Sequence, residues 1–166
     1  MALAIGTVIP ELRLLSRNMG QVAMIELGKK NNIEVDTTED ASLFTEDNLK
    51  KYKAVVFLNT TQDVLDPVQQ ADFKRFIEAG GGFVGIHSAA DTEYEWPWYG
   101  KLVGAYFKSH PPGVHEAKLK KVRAFGPSTM PDVWTKTDEW YNYKSINPNI
   151  NAIYNLDEST YKGGQN

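Results

Sequence analysis

Ala54-Val55-Val56-Phe57-Leu58 is the stretch that decides the fold. It carries no polar side chain. A strand with one wet face alternates apolar and polar residues. A run that is apolar on both faces therefore predicts a strand covered by helices on either side, hence a parallel sheet. The downstream residues agree. Asp66-Pro67 starts the clearest helix in the chain, with aspartate as its cap and proline at the first helical position, where the missing amide costs nothing. Val68, Phe73, Phe76 and Ile77 predict its apolar stripe, and Gly80 its left-handed end. Gly82-Phe83-Val84-Gly85-Ile86 reads as the next buried strand.

On the N-terminal side, Val22, Ile25 and Leu27 sit among helix formers after Gly20, and Lys29-Lys30 close that helix near the negative end of its dipole. Ile33-Glu34-Val35 comes next as a short strand. Thr45 caps a helix with Glu46 and Asp47 in its first turn and Leu49 and Tyr52 beyond. On the C-terminal side, the pattern loosens from Asp91 onward and turns aromatic, and Leu119-Lys120-Lys121-Val122 and Ala152-Ile153-Tyr154-Asn155-Leu156 read as later strands. Strand, helix, strand, helix, strand through Ile86 is the signature of an α/β fold, a doubly wound, mostly parallel sheet flanked by helices.

The chain has 166 residues, a length that suits one domain over 1–166. It contains no cysteine, which excludes disulfides, thiolate metal sites and cysteine nucleophiles. Its 18 basic and 21 acidic side chains leave a formal charge of −3, a poor match for a phosphate backbone, so no nucleic acid is expected as a partner. No apolar run approaches the roughly 18 residues of a membrane-spanning helix, so no membrane partner is expected. Pro10 and Glu11 interrupt the apolar opening, and no basic residue precedes it, which argues against a secretory signal. A cytoplasmic location is the default expectation, periplasmic or secreted if a signal has been removed.

Ligands of open α/β sheets bind beyond the carboxyl ends of the strands. Two loops are thereby singled out: Asn59-Thr60-Thr61-Gln62-Asp63 and His87-Ser88-Ala89-Ala90-Asp91-Thr92-Glu93. Both are rich in hydrogen-bonding groups, although Asn, Thr and Ser also cap loops in any protein. Gly80-Gly81-Gly82 is no phosphate loop, because it comes after a helix and opens a strand, the reverse of the required order. Gly85-Ile86-His87-Ser88-Ala89 has the spacing of a nucleophile elbow with histidine at the centre. That imidazole could be a general base, a metal ligand or a hydrogen-bond partner for a sugar hydroxyl, or simply a packed histidine. Ser88 is the adjacent hydroxyl that a hydrolase would use.

The three histidines, His87, His110 and His115, with Asp91, Glu93 and Glu116, could supply oxygen and imidazole ligands to a divalent metal ion. Their spacing matches no helix-borne zinc motif. Tyr94, Trp96, Trp98 and Tyr99 crowd one loop, and Trp140, Tyr141 and Tyr143 another. Flat rings beside carboxylates suit the apolar faces and hydroxyl rims of sugars, and equally suit a mixed aromatic core. Lys118, Lys120, Lys121 and Arg123 read as a solvated strand face.

With these residues in view, the chain resembles the ThuA-like (trehalose-utilisation) family of the class I glutamine amidotransferase-like fold. The likeness runs from about Gly20 to Gly164. It is carried by Thr38–Ala41, Ala54–Thr61, Gly80–His87, Ala90–Tyr94, Trp96–Tyr99, Phe107–Pro111, Asp138–Tyr141 and Leu156–Tyr161. The resemblance implies a flavodoxin-like sheet and a role in carbohydrate metabolism. Where true glutamine amidotransferases carry cysteine at the elbow, this chain has His87, which implies that glutamine hydrolysis is not its activity. The pocket residues it implies are His87, Asp91, His110, Glu139 and Trp140.

Two departures from the family pattern are expected. Residues 1–19 show neither a leading hydrophobic strand nor an Arg-His pair, and the further C-terminal strands of the family are absent. The leading expectation is a sugar-processing or sugar-binding domain acting on a small-molecule carbohydrate. His87, Asp91 and Glu139 are its candidate catalytic groups, and Asn59, Thr60, Ser88, Glu93, Trp96, His110 and Trp140 its candidate substrate contacts. A divalent metal ion is the candidate cofactor. The alternative is a non-catalytic interaction module or an inactive truncated homologue, and a sheet edge left open would favour a homo-oligomer.

Overall fold

A computed structural model describes residues 1–6, 14–123 and 130–165. The chain forms two compact units, Met1–Val103 and Gly104–Asn166.

The first unit is a four-stranded parallel sheet with its helices. In chain order it contains β1 (Ala2–Gly6), α1 (Leu14–Lys30), β2 (Val35–Thr38), α2 (Glu46–Leu49), β3 (Ala54–Leu58), α3 (Pro67–Glu78), β4 (Gly82–Ile86) and α4 (Pro97–Val103). The strand order is β2-β1-β3-β4, and every pairing is parallel. This is the doubly wound arrangement that the apolar run at 54–58 predicts. β3 is paired on both sides, and Val55 to Leu58 are buried.

The expectation that residues 1–19 lack a hydrophobic strand is overturned. Ala2–Gly6 is the central strand β1, inserted between β2 and β3, with Leu3, Ala4 and Ile5 buried. The run is only five residues long, and its pairing with the neighbouring strands is what reveals it as core. The loop where the resemblance implies an Arg-His pair falls at 7–13, outside the described residues.

α1 is also longer than its sequence suggests, starting at Leu14 rather than after Gly20. Val22 and Leu27 face solvent, each 53% exposed. Ile25 is half-buried, as are Gly20 and Met24, and Gly28 is buried, so the inner face mixes small and apolar residues. A Cβ on Gly20 would sit 3.1 Å from the Leu58 side chain, and one on Gly28 only 2.6 Å from the Ile33 carbonyl. Small residues bring this helix close to the sheet, so of the expected stripe only Ile25 lies on the inner side.

α3 matches its sequence signals closely. The Asp66 carboxylate accepts from the Val68 and Gln69 amides, and the Gln69 side chain accepts from the Asp66 amide, closing a capping box. At the other end Gly80 has φ 98°, with Gly80 N–H donating to Ile77 O and Gly81 N–H to Phe76 O. These are the two bonds of a Schellman motif. Gly81 lies against the Phe76 ring, where a Cβ would approach to 2.3 Å. The triple glycine is thus a helix stop with close packing. Val68, expected in the buried stripe, is 71% exposed at the first turn, while Phe73 is fully buried.

β4 departs from expectation as well. Among the described residues it pairs only with β3 and forms an edge of the sheet, and Val84 is 47% exposed.

The second unit is antiparallel. β5 (Tyr106–Ser109) pairs with β8 (Asn142–Lys144), and β6 (His115–Lys121) lies between β7 (Val133–Asp138) and β9 (Tyr154–Asp157). Lys118 and Lys120 alternate with the buried Ala117 and the half-buried Leu119 and form the wet face of β6. Lys121 is half-buried on the other face and Arg123 lies beyond the strand, so only part of the expected basic cluster is a solvated face. Among the described residues, no helix is long and apolar enough to cross a membrane.

Candidate functional site

The carboxyl ends of β3 and β4 lie side by side, since Leu58 and Ile86 are register partners. The next residue of each strand is left-handed: Asn59 has φ 53° and His87 φ 52°. Neither is glycine. Gln62 and Glu93, further along the two loops, are left-handed too, with φ 63° and 55°. Four of the six non-glycine residues with positive φ among the described residues therefore crowd this one edge. Such strain costs of order 1–3 kcal/mol per residue and persists where surrounding contacts enforce it, most often at functional sites. The elbow read from the spacing around His87 is thus a real bend, a strand turning into the short 3₁₀ segment His87–Asp91.

The surrounding contacts are explicit. Asn59 N–H donates to Ile86 O, Gln62 N–H to Asp91 O and Glu93 N–H to Gln62 O. Gln62 and Thr92 form an isolated parallel bridge, which carries the pairing of the sheet out into the loops. Below it, Thr60 and Thr92 hydroxyls are 2.9 Å apart, and the Thr92 hydroxyl also reaches Ser88 O at 3.2 Å. Thr60, Ser88 and Thr92 are all buried. His87 is exposed and Asp91 half-buried at the edge, and Asp91 accepts a hydrogen bond from the Tyr94 hydroxyl.

Glu93 points inward and is 1% exposed. Its carboxylate accepts from the Val64 and Leu65 amides at 2.9 and 2.8 Å and from the Gln70 side chain at 2.7 Å. Burial raises its pKa above the ordinary carboxylate value; the three donors oppose that shift, and the nearby Asp63 charge adds to it. Trp96, expected as a ligand contact, packs in an aromatic cluster. Its ring lies 4.9 Å from Trp98, 6.1 Å from Tyr99 and 6.4 Å from Phe73.

The other candidates belong to the second unit. His110 Nε2 is 3.4 Å from Glu139 Oε1, its Nδ1 is 2.8 Å from Pro111 O, and its ring packs beside Phe107 and Tyr141. Trp140 Nε1 donates to His115 O at 2.7 Å. The residue that sequence reasoning missed here is Asn142. It is buried, bonding Ser109 Oγ and Gly163 O through its amide nitrogen and accepting from Gln165 N–H. A polar residue between two tyrosines in an aromatic segment gives no signal of that role.

The family model for ThuA, trehalose utilisation, matches residues 11–166. The chain belongs to the ThuA family. Its fold is similar to that of a ThuA-like protein from Bacteroides uniformis ATCC 8492, with 23% identity, a TM-score of 0.84, and 99% of this chain and 70% of that chain covered. It is also similar to one from Parabacteroides merdae ATCC 43184, at 19% identity and a TM-score of 0.72, covering 96% of this chain and 70% of that one. At these identities the likeness speaks for the fold. No curated protein matches the chain in sequence.

In this ThuA-family chain, shape and chemistry point to different ends of the sheet. A depression of about 530 Å³ is lined by Tyr52, Arg75, Phe76 and Gly81 at the amino ends of β3 and β4. Another, of about 750 Å³, lies beside Met1, Ile25 and Ile33. Neither is lined by any of the candidate catalytic or substrate-contact residues. Chemistry favours the carboxyl edge, because most of the ions lining the first depression are engaged with one another, Arg75 with Glu46 and Asp72 and Lys50 with Glu46. Among the described residues, no group of three or more histidine or acidic side chains is gathered as a metal site would require.

Proposed function

We propose that this chain is a carbohydrate-binding or carbohydrate-processing ThuA domain whose ligand sits at the carboxyl edge of β3 and β4. The observation that carries the reading is the pair of left-handed residues, Asn59 and His87, at adjacent strand ends. Enforced backbone bends at a sheet's carboxyl edge are what a preorganised site needs, and the family's role in trehalose utilisation supplies the ligand class. An amide and an imidazole there are suited to a polyhydroxylated ligand. His87 serves as base or hydrogen-bond partner, and Asp91, oriented by Tyr94, fixes a hydroxyl. The aromatic cluster containing Trp96 backs this edge from within the fold.

In the second unit, the His110–Glu139 pair and Trp140 present an imidazole, a carboxylate and an indole, chemistry suited to the same ligand class. Their contribution is tested separately, through His110→Ala and Glu139→Gln.

The test is a thermal-shift panel of trehalose, glucose, oxidised sugars and divalent ions. A ligand at about 100 times its Kd adds about 2.7 kcal/mol to the native state. For a chain of this size that raises Tm by roughly 5–10 °C. His87→Asn keeps a residue type that tolerates the left-handed backbone while removing the imidazole. The expected outcome is a sugar that shifts the wild type and not His87→Asn. A panel that shifts neither protein, or both equally, contradicts the proposal.

A further inference from the structure

We propose that Glu93 is a positioning residue, a buried clasp that locks the loop after β3 to the loop after β4 so that Asn59 and His87 are presented as one preset surface. The inference rests on the carboxyl edge being the ligand site, and it assigns Glu93 a place inside the fold in place of the substrate contact expected from sequence.

The geometry is specific. Glu93 belongs to the β4 loop, yet three donors to its carboxylate lie on the β3 side: Val64 N–H and Leu65 N–H in the loop, and Gln70 on the first turns of α3. The two backbone amides are adjacent. One carboxylate oxygen receives both, which fixes the direction of that peptide and not merely its distance. The backbone crossing beside it, Gln62 N–H to Asp91 O and Glu93 N–H to Gln62 O, holds the same two loops a few residues nearer to the sheet. The residues at that crossing, Gln62 and Glu93, are both left-handed. A strained conformation on each side of a crossing persists where the contacts around it enforce it, and the carboxylate adds three such contacts just beyond the crossing.

The clasp also sorts the loop side chains. Thr60, Ser88, Thr92 and Glu93 face inward and are buried. Asn59, Gln62, Asp63, His87 and Asp91 remain at least partly exposed on the locked body. Gln62 and Asp63, which were not among the candidate contacts, thereby become part of the surface a ligand would meet.

The test compares Glu93→Leu, of similar size but without an acceptor, with Glu93→Gln, which keeps one. Amide hydrogen exchange and the imidazole NMR signal of His87 are read without any ligand. His87 is one of only three histidines, and its signal is assigned by its loss in His87→Asn. In Glu93→Leu, exchange at Val64 and Leu65 should rise at least tenfold and the His87 signal should move, while Val55 to Phe57 stay protected. Glu93→Gln should restore most of both. An unmoved His87 signal, or a uniform rise in exchange that includes Val55 to Phe57, overturns the proposal. Should Glu93→Leu fail to fold, Gln70→Ala removes the third donor from the same clasp. It should move His87 in the same direction by a smaller amount, and no movement would again overturn the proposal. Because no sugar is present, these outcomes are separate from those of the thermal-shift panel.

Discussion

The two units of this chain are held together by different means. In the first, the centre is aromatic. Phe73 lies 5.4–6.4 Å from Phe57, Phe44, Phe83, Trp98, Phe76 and Trp96, beneath a parallel sheet whose central strands are buried. In the second, Tyr106 and Ala117 are the buried apolar residues among those described, and side-chain hydrogen bonds do much of the joining. Asn142 ties Ser109, Gly163 and Gln165, Thr160 Oγ1 accepts from Lys118 N–H, and Trp140 reaches His115 O. Burial of apolar area is non-directional and tolerates small shifts, whereas a buried polar group is costly once its partner is lost. The first unit should therefore be broken by cavities, and the second by orphaned donors and acceptors.

Phe73→Ala should have the largest effect, a loss of about 3–5 kcal/mol, because six aromatic neighbours cannot all collapse into the space it leaves. Denaturant unfolding measures this as a lower midpoint. A loss below about 1 kcal/mol would mean the cluster is loosely packed. Next, Asn142→Leu should cost on the order of 1–3 kcal/mol by stranding its three partners. Its signature is faster amide exchange at Gln165, confined to the second unit. If the change instead weakens β3 as much as β8, the contrast between the units fails.

Smaller still, Asp66→Ala should remove about 1 kcal/mol by opening the capping box of α3. The loss should appear as fraying at Val68 and Gln69, with the Phe73 cluster intact. The smallest effect concerns pH in the second unit. Hydrogen bonds from Lys120, then Ser159, lower the Asp157 pKa from 3.8 to about 2. A depressed carboxylate stabilises the fold above its unfolded pKa and loses that contribution as pH falls through its folded one. Acid titrations of wild type and Asp157→Asn should thus differ above about pH 4 and converge below about pH 2. Parallel curves throughout would show that the Lys120 contact carries no stability.

The same contrast explains how far the sequence could be read. β3 is legible because both its faces are buried, and α3 because its cap, first proline and terminal glycines each act through neighbouring residues. The bend at His87 is legible from spacing, since an elbow is a local event. The antiparallel strands are less so. β7 is exposed from Val133 to Thr137, so no alternation of buried and wet residues marks it out. α1 misleads because glycines form part of its packed face while Val22 and Leu27 turn outward. At the site, a loop reading can name His87 and Asp91, but it cannot show which polar residues turn inward. Thr60 and Glu93 look like ligand contacts in sequence. Their burial depends on Thr92, Val64 and Leu65, partners about thirty residues away in the chain.

The most direct test of a ligand site at the carboxyl edge is a crystal structure of the protein soaked with the sugar that shifts its melting temperature. The predicted result is density for that sugar beside β3 and β4, within hydrogen-bond distance of the Asn59 amide and the His87 ring. Density at the opposite end of the sheet, in the depression between Tyr52 and Arg75, with the Asn59–His87 edge bare, would contradict it.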